Sequence, residues 1–243
     1  MNLTLLLTAC INPNGMPGNI LTNIAEREAQ YIEALKFYLE NTPFRVVFVE
    51  NTLHDFSNRF AHYKQNGRLE YITFKGNDYN KKLGKSYGEG QIIKYAFKNS
   101  KFLKDADNIM KITGRLQLLN ILKCNILPPP KTVISNLLIT DSEIVSLSYI
   151  FIAPKQFYNE YFIPDVENID DSKGYYFEKY LYDKIAEWVK DKNRHEFFKY
   201  PLKIIGNGGT DGRAYYKPVK FENLRTLIRY YRRKNFIKHR IKR

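Results

Sequence analysis

Short apolar runs and stretches with helical spacing alternate along the first half of the chain. Residues 3–11 are almost continuously apolar and lead into Asn-Pro-Asn-Gly, which predicts a buried strand followed by a loop. Over residues 26–41 apolar side chains recur every third or fourth position up to Thr42-Pro43, which predicts a helix that ends there. A second apolar run at 45–49 predicts the next strand. The predicted order is therefore strand, helix, strand.

The same alternation continues through the middle of the chain. Residues 69–74 and 108–112 predict a third and a fourth strand, and residues 88–100 predict a helix between them. Further along, 133–139 predicts a strand and 176–189 a helix. Helices that return successive strands to one sheet produce parallel strands with right-handed crossovers. The sequence thus predicts an α/β fold, a mostly parallel sheet flanked by helices, in which ligands bind beyond the carboxyl ends of the strands.

Composition limits the class of protein. The chain has 243 residues, 44% of them hydrophobic and 26% charged, which is enough to bury one substantial core. Because no apolar run reaches eighteen residues, we expect a cytoplasmic protein without a spanning helix. Cys10 and Cys124 lie in separate apolar stretches, and the four histidines share no metal-ligand spacing. These patterns argue against a disulfide framework, a thiolate zinc site and a metal or serine hydrolase.

Positive charge is concentrated near the C-terminal end. The formal net charge is +14, and residues 217–243 contribute +10 of it, through eleven Lys or Arg against Glu222. Across 221–241 basic and apolar residues interleave, which predicts a basic amphipathic helical tail after a folded domain of residues 1–216. Such a helix favours an anionic membrane surface, and its membrane-facing candidates are Arg225, Arg229, Arg232, Arg233 and Lys234. A helix packed on the core and a nucleic-acid contact are the alternatives.

Polar and small residues follow the predicted strands and should meet at one edge of the sheet. They are Thr8, Ala9 and Asn12 after the first strand, Glu50 and Asn51 after the second, and Thr113, Gly114 and Arg115 after the fourth. The segment 77–92 adds lysines and glycines ahead of a helix, which suits an anionic ligand through backbone N–H groups and the helix dipole. Lys85, at the tip of this predicted loop, either contacts phosphate or is a solvated lysine. The absence of a Walker loop and of a dinucleotide fingerprint argues against kinases, ATPases and dinucleotide oxidoreductases.

Several short segments resemble those of a known enzyme family. They are Leu-Thr-Ala-Cys-Ile-Asn-Pro at 7–13, Val-Phe-Val-Glu-Asn at 47–51, Tyr-Gly-Glu at 87–89, Lys-Ile-Thr-Gly-Arg at 111–115, Thr-Asp-Ser at 140–142 and Gly-Tyr-Tyr-Phe-Glu at 174–178. In these segments the chain resembles bacterial capsule and lipopolysaccharide glycosyltransferases with a GT-A-like fold, up to about residue 212.

The resemblance implies transfer of a sugar from a nucleotide-sugar donor to a growing surface glycan. It implies a nucleotide-binding half at 1–125 and an acceptor half at 126–216. It also adds Gly88, Glu89 and Lys111 to Lys85 and the strand-end residues as candidates for binding the donor nucleotide. If the acceptor glycan is lipid-linked, the basic tail would bring the enzyme to it. We therefore expect a cytoplasmic protein that is peripheral on the inner face of the cell membrane.

The chain departs from the resemblance at the expected metal site. GT-A enzymes commonly place Asp-x-Asp after the fourth strand, where its carboxylates hold Mn²⁺ or Mg²⁺ against the donor diphosphate. This chain has Thr113-Gly114-Arg115 there, and its Asp-x-Asp, at 105–107, precedes the strand. Arg115 could neutralise the diphosphate without a metal, or Asp141 and Glu143 could supply carboxylates from a neighbouring loop. Asp141 could equally bind the acceptor or cap a turn, so a divalent metal remains open.

An inverting transfer requires a base that takes the proton of the acceptor hydroxyl. In related GT-A enzymes the base lies at the start of a helix after a loop. The resemblance therefore implies Glu178 as the catalytic base, with Asp171 in reserve. The alternative for Glu178 is a carboxylate that only stabilises the helix dipole from the first turn.

Two hypotheses of different classes follow from the sequence. The first is a peripheral-membrane glycosyltransferase that uses a nucleotide sugar. The second is a noncatalytic protein that binds nucleic acid through its basic tail. Nucleotide binding by the folded domain would distinguish them. The sequence predicts neither the sugar, the nucleotide and the linkage nor the oligomeric state.

Overall fold

The computed structural model describes residues 2–18, 21–124, 127–140, 143–206, 231–232 and 234–235. Its strands are β1 (Leu3–Ala9), β2 (Arg45–Glu50), β3 (Leu69–Thr73), β4 (Asn108–Thr113), β5 (Gln117–Leu118), β6 (Thr132–Ile134), β7 (Leu137–Ile139), β8 (Ile144–Ser146), β9 (Ile150–Pro154), β10 (Arg194–Glu196) and β11 (Ile204–Ile205). Its helices are α1 (Ile24–Asn41), α2 (Ala61–Gln65), α3 (Gly84–Asn99), α4 (Lys101–Asp105), α5 (Lys155–Phe157) and α6 (Phe177–Lys190).

The central sheet of the described chain has seven strands in the order β10-β6-β9-β4-β1-β2-β3. Strands β3, β2, β1 and β4 are parallel, and β6 is parallel to β10. Strand β9 lies between these two groups and runs antiparallel to both β4 and β6. The predicted α/β fold with a mostly parallel sheet is confirmed. Strands from the later part of the chain, β6, β9 and β10, complete the same sheet as β1 to β4.

Strand β1 is an interior strand of the sheet, between β4 and β2, and every one of its residues is buried. Its continuous apolar sequence suits a strand that is covered on both faces. Leu5 and Leu7 point to the face where Tyr38 of α1 belongs to the same core cluster. Leu6 points to the opposite face, into a second core cluster that includes Trp188 of α6. Helices therefore cover both sides of the sheet, and its carboxyl edge stays open to ligands.

Some boundaries differ from the predictions. The helix predicted from residue 88 begins at Gly84, so Lys85 lies in the first turn of α3 and not at a loop tip. The strand predicted over 133–139 is split at the polar pair Ser135-Asn136 into β6, in the central sheet, and β7, which pairs with β8 in a separate two-stranded sheet. Strand β1 ends at Ala9, two residues earlier than the apolar run.

Part of the basic tail falls outside the described residues. The positions outside include Arg225, Arg229 and Arg233. The described tail residues are helical, and two of them contact the folded body. The hydroxyl of Tyr231 donates to the carbonyl of Lys199 at 2.9 Å, and the ammonium of Lys234 donates to the carbonyl of Phe198 at 3.2 Å. Arg232 is exposed. Within the described part of the chain, no helix is both long enough and apolar enough to cross a bilayer.

Candidate active site

A cavity of about 200 Å³ opens at the carboxyl ends of β1, β2 and β4. This cavity is called the cleft below. The cleft-lining residues predicted from the sequence are Thr8, Ala9, Asn51, Lys85, Gly88, Glu89, Thr113, Arg115 and Glu178. Strand ends, the first turns of α3 and the start of α6 bring these residues together, although they are up to 170 positions apart in the sequence.

Four other predicted donor-binding residues lie outside the lining. Glu50, fully buried beneath the cleft, bonds the loops after β1 and β2 to the end of β3. Its carboxylate accepts from the backbone N–H groups of Ile11 at 3.0 Å, Thr52 at 2.7 Å and His54 at 2.9 Å. The hydroxyls of Thr52 and Thr73 also donate to it. The position of Glu50 therefore shapes the loops that form the cleft.

The three remaining residues also lie under or beside the cleft. The N–H of Gly114 donates to the carbonyl of Thr8 at 2.9 Å, and a Cβ at Gly114 would lie only 2.7 Å from that oxygen. This close approach requires glycine and lets the ends of β1 and β4 stay together. The backbone carbonyl of Asn12 accepts from the side-chain amide of Asn77 at 2.9 Å. Lys111 is fully buried under the floor of the cleft.

A connected set of polar groups forms the floor. The ammonium of Lys111 forms an ion pair with Glu89 and donates to the Ser148 carbonyl at 2.8 Å and to the Thr113 hydroxyl at 3.2 Å. Glu89 also accepts from the hydroxyl of Thr8 at 3.0 Å and from that of Thr113 at 3.5 Å. Residues from β1, α3 and β4 are thus fixed against one buried cation.

Glu178 lies in the first turn of α6 and lines the cleft. The hydroxyl of Ser148 donates to its Oε1 at 2.5 Å. The same Ser148 offers its carbonyl to Lys111, so a single residue links Glu178 to the floor. The carboxylate is therefore held at the helix start by one neutral hydroxyl.

Positive groups occupy other parts of the lining. Lys85 is in the first turn of α3 and lines the cleft. Arg115 is largely buried, and its guanidinium donates to the side-chain carbonyl of Gln30 at 3.2 Å. A guanidinium whose plane is held in this way suits the oxygens of a phosphate.

Sequence reasoning missed Arg27, Tyr31 and Cys10 in the lining. The buried guanidinium of Arg27 donates through Nε to the carbonyls of Cys10 and Ile11 at 3.1 and 3.0 Å, so it fixes the loop after β1. The Cys10 N–H donates to the hydroxyl of Tyr31 at 3.0 Å. Burial raises the pKa of the Cys10 thiol to about 11. For Arg27, the sequence does contain a signal, a basic residue on the otherwise apolar face of α1.

The remaining acidic candidates lie away from the lining. Asp171 faces the start of α3 and accepts from the N–H of Ser86 at 3.3 Å. Its carboxylate fills the space beside Gly84, where a Cβ would lie 2.0 Å from Oδ2. Glu143 accepts from the hydroxyl of Tyr176 and pairs with Lys179 at 3.2 Å, and these two contacts lower the pKa of its carboxyl. Asp141 lies outside the described residues.

Neither a protein-family model nor a curated protein matches the sequence. Among solved structures, the chain is similar to core-mannan synthase A from Aspergillus fumigatus in its Mn/GDP form, with a TM-score of 0.50 and 9% identity over 91% of this chain and 80% of that chain. The fold is GT-A-like. At this identity the similarity concerns the GT-A-like fold alone.

Two further structures have lower TM-scores. TarS from S. aureus in complex with UDP is 13% identical, with a TM-score of 0.47 over 81% of this chain. The chain spans 60% of the length of that TarS structure. The inositol-1-phosphate CTP transferase from T. maritima is 12% identical, with a TM-score of 0.42 over 82% of this chain and 85% of that chain.

The described residues do not fit a divalent ion at the cleft. Within residues 2–18, 21–124, 127–140 and 143–206, no group of three His, Cys, Asp or Glu side chains could hold a metal. The positions after β4 carry hydroxyl, glycine and guanidinium groups, and the positive charge of Arg115 opposes a bound cation. Of the two lining carboxylates, Glu89 is already paired with Lys111. The groups at this edge of the sheet therefore suit a phosphate anion better than a divalent cation.

Proposed function

We propose that this chain transfers a sugar from a nucleotide-sugar donor to a hydroxyl of a glycan acceptor. One observation carries the proposal. In a GT-A-like fold, a single cleft at the strand ends combines cationic groups, Lys85 and Arg115, with the carboxylates Glu89 and Glu178. Cations suit a diphosphate, and carboxylates suit the hydroxyls of sugars.

The donor diphosphate is proposed to bind at Arg115 and Lys85. The guanidinium can contact two phosphate oxygens, and the ammonium adds a point charge at the N-terminal end of α3. Both groups stabilise the negative charge that grows on the diphosphate as the bond to the sugar breaks. Thr8, Ala9, Asn51, Gly88 and Thr113 complete the proposed donor site.

Glu178 is proposed as the catalytic base. It accepts the proton of the acceptor hydroxyl while that oxygen forms a bond to the anomeric carbon of the sugar. The bond from this carbon to the phosphate oxygen breaks, and the nucleoside diphosphate leaves with the electron pair. Attack opposite the leaving group inverts the anomeric configuration. Asp171 is the reserve candidate, although its carboxylate faces the start of α3.

The finer identity of the acceptor rests on the sequence. Resemblance to capsule and lipopolysaccharide enzymes supports a surface glycan, built by transfer of a hexose. The net charge of +10 in residues 217–243 supports a lipid-linked acceptor at an anionic inner membrane surface, with Arg225, Arg229, Arg232, Arg233 and Lys234 as contacts. Co-sedimentation of the full chain with anionic and zwitterionic vesicles tests this part. Equal binding to both would contradict it.

Calorimetric titration tests the donor site. The full chain is titrated with UDP, GDP, CMP and their sugars, each with and without Mn²⁺. We expect one nucleotide to bind, and Arg115→Ala to weaken its binding at least tenfold, the effect of about one charge-assisted hydrogen bond. The matched control is Arg45→Ala, because Arg45 is half-exposed at the opposite end of β2. Strong nucleic-acid binding without any nucleotide binding would favour the noncatalytic alternative.

A second experiment tests the base. Glu178→Gln keeps the size of the side chain and removes its ability to take up a proton. We expect donor affinity to change less than about threefold, whereas release of nucleoside diphosphate from the donor falls by about a hundredfold or more. Asp171→Asn, which likewise keeps the size of the side chain, is measured beside it. If the Asp171 variant loses turnover and the Glu178 variant retains it, the reserve assignment replaces the first.

A further inference from the structure

The ion pair under the cleft has an unusual position. Lys111 is completely inaccessible to solvent, and its partner Glu89 reaches the cleft with 24% of its side chain exposed. A buried ion pair stabilises a fold little compared with apolar residues of the same size, because both charges lose their hydration. Fold stability alone therefore does not account for this pair. Its clear structural effect is to hold the Glu89 carboxylate in one orientation.

The contacts of Glu89 all reach the same oxygen. Lys111, Thr8 and Thr113 each bond to Oε1. Within the described chain, no hydrogen-bond partner is found for Oε2 of this lining residue. A carboxylate in an ion pair accepts hydrogen bonds and donates none. Glu89 therefore presents a fixed acceptor to the cleft, which suits a hydroxyl.

The position of Glu89 along α3 indicates which part of a ligand would lie beside it. Lys85 and Glu89 are four residues apart, so they lie on the same face of the helix, with their Cβ atoms about 6 Å apart. A group that binds Lys85 through phosphate can place its next substituent at Glu89. In a nucleotide sugar, the substituent after the diphosphate is the sugar, which carries hydroxyls.

We propose that Glu89, positioned by Lys111, accepts a hydrogen bond from a hydroxyl of the donor sugar and selects nucleotide sugars over free nucleotides. This inference rests on the proposed donor site and assigns the residue that recognises the sugar. Lys111 is a positioning residue because its ammonium is sealed from the cleft. Glu89 supplies the contact, and Lys111 and the two threonine hydroxyls fix its direction.

The experiment compares two affinities in each variant by calorimetry. One is for the free nucleoside diphosphate that the chain binds, and the other is for its nucleotide sugar. In Glu89→Gln, we expect the nucleotide-sugar affinity to fall roughly tenfold to a hundredfold, the range for losing one hydrogen bond to a charged group. Affinity for the free nucleoside diphosphate should change less than about threefold, because that ligand lacks the sugar that Glu89 is proposed to contact.

A double variant distinguishes loss of the Glu89 contact from misfolding. Glu89→Gln alone leaves the buried ammonium of Lys111 without its partner, so the double variant E89Q/K111M removes both charges together. The matched control is E167Q/K94M, since Lys94 and Glu167 form an ion pair at 2.6 Å on the surface. Near-ultraviolet circular dichroism checks that each variant is folded. The double variant should lose the preference for the sugar, and the control should keep it.

A donor analogue locates the contact. The analogue has one sugar hydroxyl replaced by hydrogen, and each sugar position is tested in turn. For one position, the native chain should bind the analogue at least tenfold more weakly than the donor, whereas E89Q/K111M should bind both equally.

Other results would overturn the inference in distinguishable ways. A folded E89Q/K111M that still prefers the nucleotide sugar would remove the role of Glu89 and leave the proposed function intact. An equal loss of affinity for both ligands would show that Glu89 acts on the nucleotide or on the shape of the cleft. If the native chain bound no nucleotide, both the proposed function and this inference would fall.

Discussion

Replacing Glu50 by glutamine is a direct test of what holds the cleft in shape. The carboxylate is completely buried, and its two oxygens are divided between different donors. Oε1 accepts from the N–H of Ile11 and from the hydroxyl of Thr52. Oε2 accepts from the N–H groups of Thr52 and His54 and from the hydroxyl of Thr73. Glutamine keeps one acceptor oxygen and replaces the other with a donor.

The geometry sets the size of the effect. If the amide nitrogen takes the place of Oε2, two backbone N–H groups lose their acceptor. If it takes the place of Oε1, only the N–H of Ile11 is left unpaired, because the Thr52 hydroxyl can turn to accept. The second orientation is cheaper. A buried donor without a partner, together with loss of a charge-assisted bond, costs about 2–4 kcal/mol. For a chain of this length, 3 kcal/mol lowers Tm by roughly 6–12 °C.

Urea unfolding measures the cost through the single tryptophan, Trp188, which is completely buried. The matched control is Glu40→Gln, because Glu40 is half-exposed and its carboxylate forms only a long ion pair, 3.9 Å from the Lys36 ammonium. This control should change the unfolding free energy by less than about 0.5 kcal/mol. If Glu50→Gln retains full stability but loses nucleotide affinity, Glu50 contacts the donor and the reasoning is refuted.

Three further predictions concern the cleft and its surroundings. Gly114→Ala places a Cβ against the Thr8 carbonyl and should cost about 1–3 kcal/mol in the same urea assay; a change below about 0.5 kcal/mol would contradict the close approach. Because the pKa of Cys10 is about 11, roughly one thiol in a thousand is ionised near pH 8, so iodoacetamide should label it slowly by mass spectrometry, faster at higher pH and more slowly with nucleotide bound. Rapid labelling near pH 8 would oppose this. The hydrogen bond from Tyr176 lowers the pKa of Glu143, so the stability it adds is present above its unfolded pKa of about 4.5 and disappears as pH falls through the lower folded value. The Tm difference between the native chain and Glu143→Gln should therefore shrink toward about pH 3, and a constant difference would count against it.

The parallel part of the sheet could be predicted because its signals are local. A strand buried on both faces needs a continuous apolar run, and β1, β2 and β4 have one. The break between β6 and β7 lies at Ser135-Asn136, where two polar residues interrupt the apolar positions. This local polar interruption is a turn signal that the prediction of one strand over 133–139 overlooks. The early start of α3 was hidden by its glycines, which ordinarily indicate a loop.

The residues of the candidate site also differ in whether local sequence signals could place them. Residues just after strands, such as Thr8 and Thr113, could be placed because parallel strands bring their carboxyl ends to one edge. Arg27 and Ser148 could not, because their positions depend on which side chains meet across the fold. Sequence adjacency also could not separate the lining residue Asn51 from its neighbour Glu50, which points beneath the cleft into a set of backbone donors.

The surroundings of the carboxylates distinguish their roles. A carboxylate that acts as the base and takes up a proton during transfer needs an oxygen with a free lone pair and no fixed positive partner. Glu50 fails this requirement because both oxygens are filled by buried donors. Glu89 is better suited to binding, since an ammonium already neutralises its charge and would be left unbalanced if the carboxylate were protonated. Glu178 is held by the neutral hydroxyl of Ser148 and borders the cleft, so a proton added there leaves no buried charge unpaired. The neutral group beside Glu178 and the cation beneath Glu89 therefore support the two proposed roles, proton uptake at Glu178 and hydroxyl recognition at Glu89.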